Sequence, residues 1–293
     1  MKVKLIKDRA AGVVMFSLTL LALLLVLVIG VGLVLKSLPI LEDRSLWSLL
    51  AGSEWKPLAG KFGFLPFIMG TIWVTFIAIL WTLPLGLLTA IFLTENAKKW
   101  VKKAVYPVLD ILAGLPSVVY GVWGVLVVVP WIAKHLAPEF STGYTILAGG
   151  VVLGIMVLPL MVSLFVELFS ATGQDVREAS LSLGATRWQT TKYVLLRKNF
   201  PGIMATIILS ISRAMGETIA VLMVCGNIVQ IPHSPLDAGY PLPALIANNY
   251  GEMLSVPFYE SALMFAALIL FVVVFIFNIV SRIILRRIED RFI

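Results

Sequence analysis

The sequence predicts an all-α polytopic membrane protein with about six transmembrane helices, and two features of its composition support this fold class. Of the 293 residues, 60% are hydrophobic and only 13% are charged, whereas about 25% of residues are charged in a typical soluble domain. The apolar residues also occur in long runs of about 20 residues, which is the helix length that crosses a hydrocarbon layer about 30 Å thick. This pattern excludes an ordinary soluble domain and an intrinsically disordered chain.

The predicted spans form a single transmembrane domain that covers residues 1–293. The first apolar run extends from Gly12 to Leu35, which is longer than the apolar core of a signal peptide at about 7–15 residues. No small-residue cleavage site follows it, so we expect a retained anchor. The expected spans are 12–35, 65–93, 105–133, 145–170, 201–225 and 260–285, with a long cytoplasmic loop at 171–200.

The distribution of basic residues predicts the orientation of the chain. Most of the 23 Lys and Arg residues lie at the two termini and in the loops at 98–103 and 177–198, all on one side of the membrane. Because Lys and Arg accumulate in cytoplasmic loops, we expect both termini to be cytoplasmic. The same basic clusters account for the formal charge of +7. We interpret them as flanks of membrane spans that contact lipid, and nucleic acid is not an expected partner. The opposite side carries Lys36, Arg44, Lys56, Lys61 and Lys134.

The sequence lacks the common motifs of catalytic and metal sites. Gly60-Lys61 is followed by Phe62 and not by Ser or Thr, so the chain has no phosphate-binding loop of its own. No H-E-x-x-H or G-x-S-x-G motif is present. One cysteine and two histidines are too few for a disulfide framework or a Cys-based zinc site. We therefore expect no metal or cofactor on this chain, and any ATP that is used binds to another subunit.

The cytoplasmic loop contains a predicted short amphipathic helix. Asp175 is a suitable N-cap residue, and Gly184 permits a bend or a close backbone approach. The apolar residues that can line one side of this helix are Val176, Ala179, Leu183 and Trp188. Such a helix is equally suited to lying on lipid and to docking into a groove on a partner protein.

Two charged residues are expected deep inside the fifth span. At a rise of 1.5 Å per residue, Arg213 lies about 18 Å beyond Pro201, near the bilayer centre, and Glu217 follows at i+4 on the same helix face. A charge at this depth costs at least about 3 kcal/mol and is functional by default. The forked donors of Arg213 suit a phosphate-like oxyanion, and Glu217 can hold the arginine between transport events. The alternative is a structural ion pair that stabilises the bundle.

Two other carboxylates and several small residues have simpler interpretations. Asp110 and Glu167 lie near the cytoplasmic ends of the third and fourth spans, where we expect interfacial carboxylates. Pro116 frees a backbone carbonyl that protein or water must satisfy. Small residues at helical spacing allow close packing, and those of the third span are equally compatible with lining a path across the membrane. They are Gly114, Ser117, Gly121 and Gly124 in the third span and Gly150 and Gly154 in the fourth.

Four segments of the sequence carry a family resemblance. The cytoplasmic loop reads Glu178-Ala179-Ser180, three residues, Gly184, nine residues and Val194-Leu195-Leu196. This pattern resembles the EAA coupling loop of ABC importer permeases, with Ser180 in place of the third alanine and Arg197 in place of the usual proline. Together with the segments at 62–71, 112–124 and 213–218, the loop resembles the PstC-type permease of the bacterial phosphate ABC importer.

The resemblance implies the type I fold of ABC importer permeases and a non-catalytic role in an ATP-driven importer of inorganic phosphate. It places Arg213 and Glu217 on the substrate path, and Glu178, Ala179 and Gly184 in the contact with the ATPase. The implied partners are a PstA-type second permease, PstB-type ATPases that bind ATP and magnesium, and a PstS-type extracytoplasmic phosphate-binding protein. The implied location is the bacterial inner membrane.

Two other functions are compatible with the same residues. A permease for another oxyanion, such as molybdate or sulfate, would share these features, because substrate choice lies mostly in the binding protein. A membrane enzyme acting on phospholipid head groups would hold a phosphate with Arg213 and would need Glu217 as its acid or base. Co-purification of ATPase subunits supports the importer, whereas activity of the chain alone supports the enzyme.

Overall fold

The computed structural model describes residues 2–136, 142–252 and 255–292, with side chains at 11–136, 142–252 and 255–283. The basic residues at 2–9 and 286–291 that contributed to the predicted orientation lie outside the described side chains. The helices are α1 (Lys2–Asp43), α2 (Leu46–Ala51), α3 (Leu65–Ile91), α4 (Lys99–Gly114), α5 (Ser117–Trp123), α6 (Val129–His135), α7 (Ile146–Ser170), α8 (Gln174–Ser182), α9 (Arg187–Gln189), α10 (Leu196–Lys198), α11 (Phe200–Met215), α12 (Ile219–Val224), α13 (Leu242–Asn249) and α14 (Tyr259–Phe292). A short antiparallel hairpin pairs β1 (Trp55–Lys56) with β2 (Lys61–Phe62).

The membrane-spanning helices agree with the predicted fold class. Within the described ranges, five helical segments are long and apolar enough to cross a membrane, and the number rises to six when one bent pair of helices is counted as a single span. The five are Ala11–Asp43, Leu65–Asn96, Ser117–His135, Ile146–Ser170 and Tyr259–Ile283, and the bent pair is Arg187–Lys198 with Phe200–Met215. The prediction of an all-α polytopic membrane protein is therefore confirmed.

The third span begins later than the predicted boundary of 105. Helix α4 ends before Leu115 and Pro116, which have extended backbones, and α5 starts after them. The break follows because a residue that precedes proline is disfavoured in a helix. Residues 105–114 therefore belong to α4, and the third span covers Ser117–His135. The exposed Asp110 lies on α4 and not in a membrane span.

The carbonyl that cannot receive an N–H from Pro116 is that of Leu112, which accepts instead from the N–H of Leu115 at 3.3 Å. It also accepts a hydrogen bond from the hydroxyl of Tyr120 at 2.6 Å. The prediction that protein or water must satisfy this carbonyl is confirmed, and protein does so.

Helices α3 and α7 form the centre of the bundle. Gly150 and Gly154 of α7 lie directly against Ile77 and Trp81 of α3. The indole N–H of Trp81 also donates to the carbonyl of Gly150 at 3.4 Å. Because these glycines carry no side chain, the two helices approach closely. The predicted packing face of the fourth span is confirmed.

We expect Gly154→Leu to destabilise the protein, because a Cβ atom at this position would overlap the indole of Trp81. Overpacking of this kind costs about 1–3 kcal/mol. Thermal unfolding of the detergent-solubilised protein, followed by loss of monodisperse material, measures the effect. Gly32→Leu is a matched control, since a Cβ atom at Gly32 of α1 would meet no atom within 4 Å. Equal thermal stability of the two variants would contradict the packing role.

The small residues of the third span divide into two groups. Gly121 lies against Ala220 of α12, and Gly124 lies against Val152 of α7. A Cβ atom at Gly114 would meet nothing within 4 Å, because this residue ends α4 at an exposed position. Close packing therefore explains Gly121 and Gly124, but it does not explain Gly114.

The end of the bundle near the start of α3 is closed by aromatic residues around the hairpin. The ring of Trp55 makes edge-to-face contacts with Phe62, Phe64 and Phe67 at centroid distances of 5.4, 5.3 and 5.3 Å. On the exposed side of the hairpin, the ammonium of Lys61 donates to Glu54 at 3.0 Å. This hydrogen bond, with the charge of the neighbouring lysine at 56, lowers the pKa of the Glu54 carboxyl below its ordinary value.

Candidate functional site

The helix of the cytoplasmic loop, α8, begins one residue before the predicted N-cap. Gly173 is the N-cap residue, and Asp175 lies in the first turn. The prediction that Asp175 caps the helix is therefore wrong. Its carboxylate folds back over Gly173, into the space that a Cβ atom would take. A negative charge in the first turn still interacts favourably with the helix dipole.

The outer face of this loop presents apolar side chains to solvent. Leu183 is 89% exposed and Trp188 is 61% exposed, and none of the residues of α8 is buried. Exposed large apolar side chains of this kind are candidates for contact with a partner. We call the exposed set formed by Glu178, Ala179, Leu183, Gly184 and Trp188 the coupling surface.

A left-handed backbone at Gly184 produces the predicted bend. Its φ angle is +85°, and a Cβ atom at this position would meet nothing within 4 Å. Its N–H donates to the carbonyl of Leu181 at 3.0 Å. The next helix then starts with a capping box, in which Thr186 and Gln189 exchange hydrogen bonds at 3.2 and 2.8 Å. Glycine is required here by the backbone conformation and not by lack of space.

Arg177 joins the loop to two membrane spans, and sequence reasoning missed this role. Its guanidinium pairs with Glu95, at the end of the second span, with N–O distances of 2.8 and 3.1 Å. It also donates to the carbonyls of Phe169, Thr172 and Gly173, which follow or end α7. No sequence pattern announces the pair, because its members are 82 residues apart.

The serine that replaces the third alanine of the EAA pattern makes a contact of its own. The hydroxyl of Ser180 lies 3.0 Å from the hydroxyl of Thr190, within the π-helical turn Thr190–Leu195. This hydrogen bond connects α8 to the helical segment that returns to the membrane. An alanine at this position could not form it.

The loop returns to the membrane through a sharp bend at Asn199. The helical segments on either side, Arg187–Lys198 and Phe200–Met215, meet at 68°. The side-chain amide of Asn199 donates to the carbonyl of Leu195 and to the hydroxyl of Thr172, both at 2.8 Å. Pro201 follows in the first turn of α11, where its missing N–H is not needed. The bend therefore forms without a proline at position 197.

The fifth span is broken, which separates the two charged residues predicted to face each other. Helix α11 ends at Met215, Gly216 is its C-cap, and α12 starts at Ile219. Among the side chains described, no ion pair joins Arg213 to Glu217, and Glu217 accepts instead from the N–H of Ala220 at 3.4 Å. The expected pairing is wrong in this structure, because the i+4 rule holds only along a continuous helix.

Arg213 is exposed in the isolated chain. It is in the last turn of α11, about 20 Å from the start of that helix at 1.5 Å per residue. The preceding residue, Ser212, accepts a hydrogen bond from Asn278 of α14 at 3.1 Å, which fixes this end of α11. Hydrocarbon contact would cost an arginine several kcal/mol.

Glu167, the predicted interfacial carboxylate of the fourth span, lies outside this arrangement. It is exposed near the end of α7. Within the described ranges, no group of three or more His, Cys, Asp and Glu side chains could hold a metal ion. The expectation that this chain binds no cofactor stays a prediction.

Comparison with known proteins decides the family. Residues 82–292 match the family model described as the binding-protein-dependent transport system inner membrane component. The chain belongs to this family. It is a multi-pass inner membrane permease, and the predicted family is confirmed.

Several curated relatives of this permease match over most of their length. A probable ABC transporter permease, YqgH of Bacillus subtilis, is 40% identical over 80% of this chain and 75% of its own. The phosphate transport system permease PstC of Xylella fastidiosa is 33% identical over 83% and 80% of the two chains. A probable phosphate transport system permease PstC of Methanocaldococcus jannaschii is 34% identical over 86% and 85%.

Solved structures share the fold of this permease at lower identity. A chain of the MetNI methionine ABC transporter is 18% identical with a TM-score of 0.58, and covers 75% of this chain and 93% of its own. A chain of a bacterial alginate ABC transporter is 16% identical with a TM-score of 0.59, over 96% and 97% of the two chains. The predicted type I fold of ABC importer permeases is confirmed.

Proposed function

We propose that this permease is one subunit of an ATP-driven importer of inorganic phosphate. The observation that carries the proposal is the exposed Arg213 in the last turn of α11, because an arginine within a bilayer faces water or protein and avoids lipid. The PstC relatives, at 33% and 34% identity over most of the chain, support phosphate as the substrate.

Arg213 suits an oxyanion for chemical reasons. Its guanidinium presents N–H donors in a planar fork that matches two oxygens of one phosphate. No described carboxylate pairs with it within 4.0 Å, so these donors are available to a passing anion. Glu217 lies just past the helix break, where its charge repels an anion that has passed Arg213 and favours its release.

The proposed partners follow from the surfaces that the chain leaves open. A PstA-type second permease covers the face that carries Arg213 and completes the path. PstB-type ATPases, which bind the ATP and magnesium, contact the coupling surface from the cytoplasm. In this orientation both termini of the chain are also cytoplasmic. A PstS-type binding protein delivers phosphate on the other side of the membrane.

In this proposal the chain performs no chemistry itself. Closure of the ATPases on ATP moves the coupling surface, through Glu178, Ala179 and Gly184. The movement switches the bundle from inward-facing to outward-facing, and phosphate released by the binding protein then reaches Arg213. Hydrolysis of ATP resets the bundle and opens the path to the cytoplasm.

Transport by the purified complex tests the proposal. The chain is co-expressed with its neighbouring transport genes, purified through a tag on this subunit, and reconstituted into proteoliposomes with internal ATP. We expect ATPase subunits to co-purify and labelled phosphate to accumulate in the presence of the binding protein. Preferential uptake of molybdate or sulfate would instead support a permease for that oxyanion. Turnover of phospholipid head groups by this chain alone would support the membrane enzyme.

A further inference from the structure

The ion pair between Arg177 and Glu95 is the most enclosed of the ion pairs in the described part of the chain. The two side chains are 20% and 16% exposed, and the guanidinium engages both carboxylate oxygens through Nε, at 3.1 and 3.2 Å. The other four pairs include at least one side chain that is almost half exposed or more. A forked, partly buried arginine–carboxylate pair has a fixed geometry that an exposed pair lacks.

The position of this pair connects the coupling loop to the centre of the bundle. Arg177 lies in the first turn of α8, and Glu95 lies in the π-helical turn Phe92–Asn96 that continues α3. The same guanidinium donates to the carbonyls of Phe169, in the last turn of α7, and of Thr172 and Gly173, just after it. One side chain thus holds the ends of α3 and α7, the two helices that pack most closely in the bundle.

We infer that Arg177 and Glu95 position α8 so that its movement is transmitted to α3 and α7, and that the pair is required to couple ATP hydrolysis to transport. Arg177 contacts neither substrate nor nucleotide in this scheme and acts only through the helices that it joins. Among the hydrogen bonds of the described residues, those between Arg177 and Glu95 join α8 to the second span. The inference rests on the proposed function and adds a residue pair to it.

A conservative substitution separates coupling from folding. Glu95→Gln removes the charge and leaves the bonds from Arg177 to the carbonyls of α7 in place. We expect the complex to assemble and to hydrolyse ATP, while phosphate taken up per ATP hydrolysed falls about fivefold or more, as for ordinary coupling between distant sites. Because the two residues act as one unit, the double variant Glu95→Gln with Arg177→Gln is expected to lose no more than Arg177→Gln alone.

The matched control is Glu260→Gln, which removes the same charge from an ion pair with Lys36 at the other end of the bundle. That pair has an N–O distance of 3.1 Å and side chains 66% and 52% exposed. We expect an unchanged ratio of uptake to hydrolysis in this variant. The readouts are complex assembly, ATP hydrolysis and phosphate uptake in the same proteoliposomes.

The outcomes distinguish this inference from the proposed function. Phosphate uptake by the wild-type complex with an unchanged ratio in Glu95→Gln would overturn the inference alone. Failure of Glu95→Gln to assemble would also overturn it, since the pair would then serve folding. Absence of phosphate uptake by the wild-type complex would overturn the proposed function and this inference with it.

Discussion

Arg213→Gln is expected to reduce phosphate uptake by about 10- to 100-fold while the complex still assembles, since hydrogen bonds to a charged group contribute about 1.5–3 kcal/mol each. Arg213 is exposed in the isolated chain, so its removal leaves no cavity in the packed core. Arg213→Lys keeps the charge but loses the planar fork of donors, and we expect partial uptake from it. The measurement is uptake of labelled phosphate, normalised to the amount of assembled complex.

Three further variants decide between a substrate contact and a structural ion pair. Arg282→Gln changes an exposed arginine of α14 and is expected to leave uptake unchanged. Glu217→Gln should assemble and slow turnover, because the charge that favours release of the anion is lost. If Arg213 and Glu217 were a buried structural pair, each single variant would lose about 3–5 kcal/mol and fail to assemble. Near-normal uptake by a double variant with Met at 213 and Leu at 217 would refute the substrate-path role.

Gly184→Val is expected to uncouple ATP hydrolysis from uptake. The φ angle of +85° at Gly184 lies in a region that costs an L-residue about 1–2 kcal/mol, and a β-branched residue more. Relief of this strain moves Leu183 and Trp188 away from their present positions. We expect phosphate uptake per ATP hydrolysed to fall about 5- to 30-fold, because a strain of about 1–2 kcal/mol corresponds to a factor of this size in an equilibrium constant. Uptake and hydrolysis are measured on the same reconstituted complex.

Gly251 offers a matched control for this backbone effect. Its φ angle is +87°, and a Cβ atom there would also meet nothing within 4 Å, but it lies in the connection between α13 and α14 at the other end of the bundle. Gly251→Val introduces the same kind of strain far from the coupling surface, and we expect normal coupling. Normal coupling in a fully assembled Gly184→Val complex would show that this bend does not transmit force.

Local sequence patterns were sufficient for much of the candidate site. Pro116 explains both the break before the third span and the need for a donor to the freed carbonyl of Leu112. The predicted boundary at 105 was wrong because α4 is itself apolar enough to extend an apolar run, and hydropathy does not register a change of direction. The bend at Gly184 was predicted because only glycine adopts its backbone conformation without strain.

The ion pair of Arg177 and the separation of Arg213 from Glu217 were decided by tertiary structure. The break in the fifth span occurs at Gly216, and nothing in the spacing of the two charges distinguishes a broken helix from a continuous one. Glu95 and Arg177 meet across 82 residues, because the packing of α3 on α7 brings the end of the second span beside the start of α8.

The sequence by itself determined the fold class and the place of the coupling loop, since hydrophobic length, glycine conformation and proline geometry are properties of short segments. The packing of the helices decided which charged side chains form pairs and which remain accessible to an anion. Electrostatic and hydrogen-bond partners are chosen by distance in space, and that distance is fixed by contacts between segments far apart in the chain.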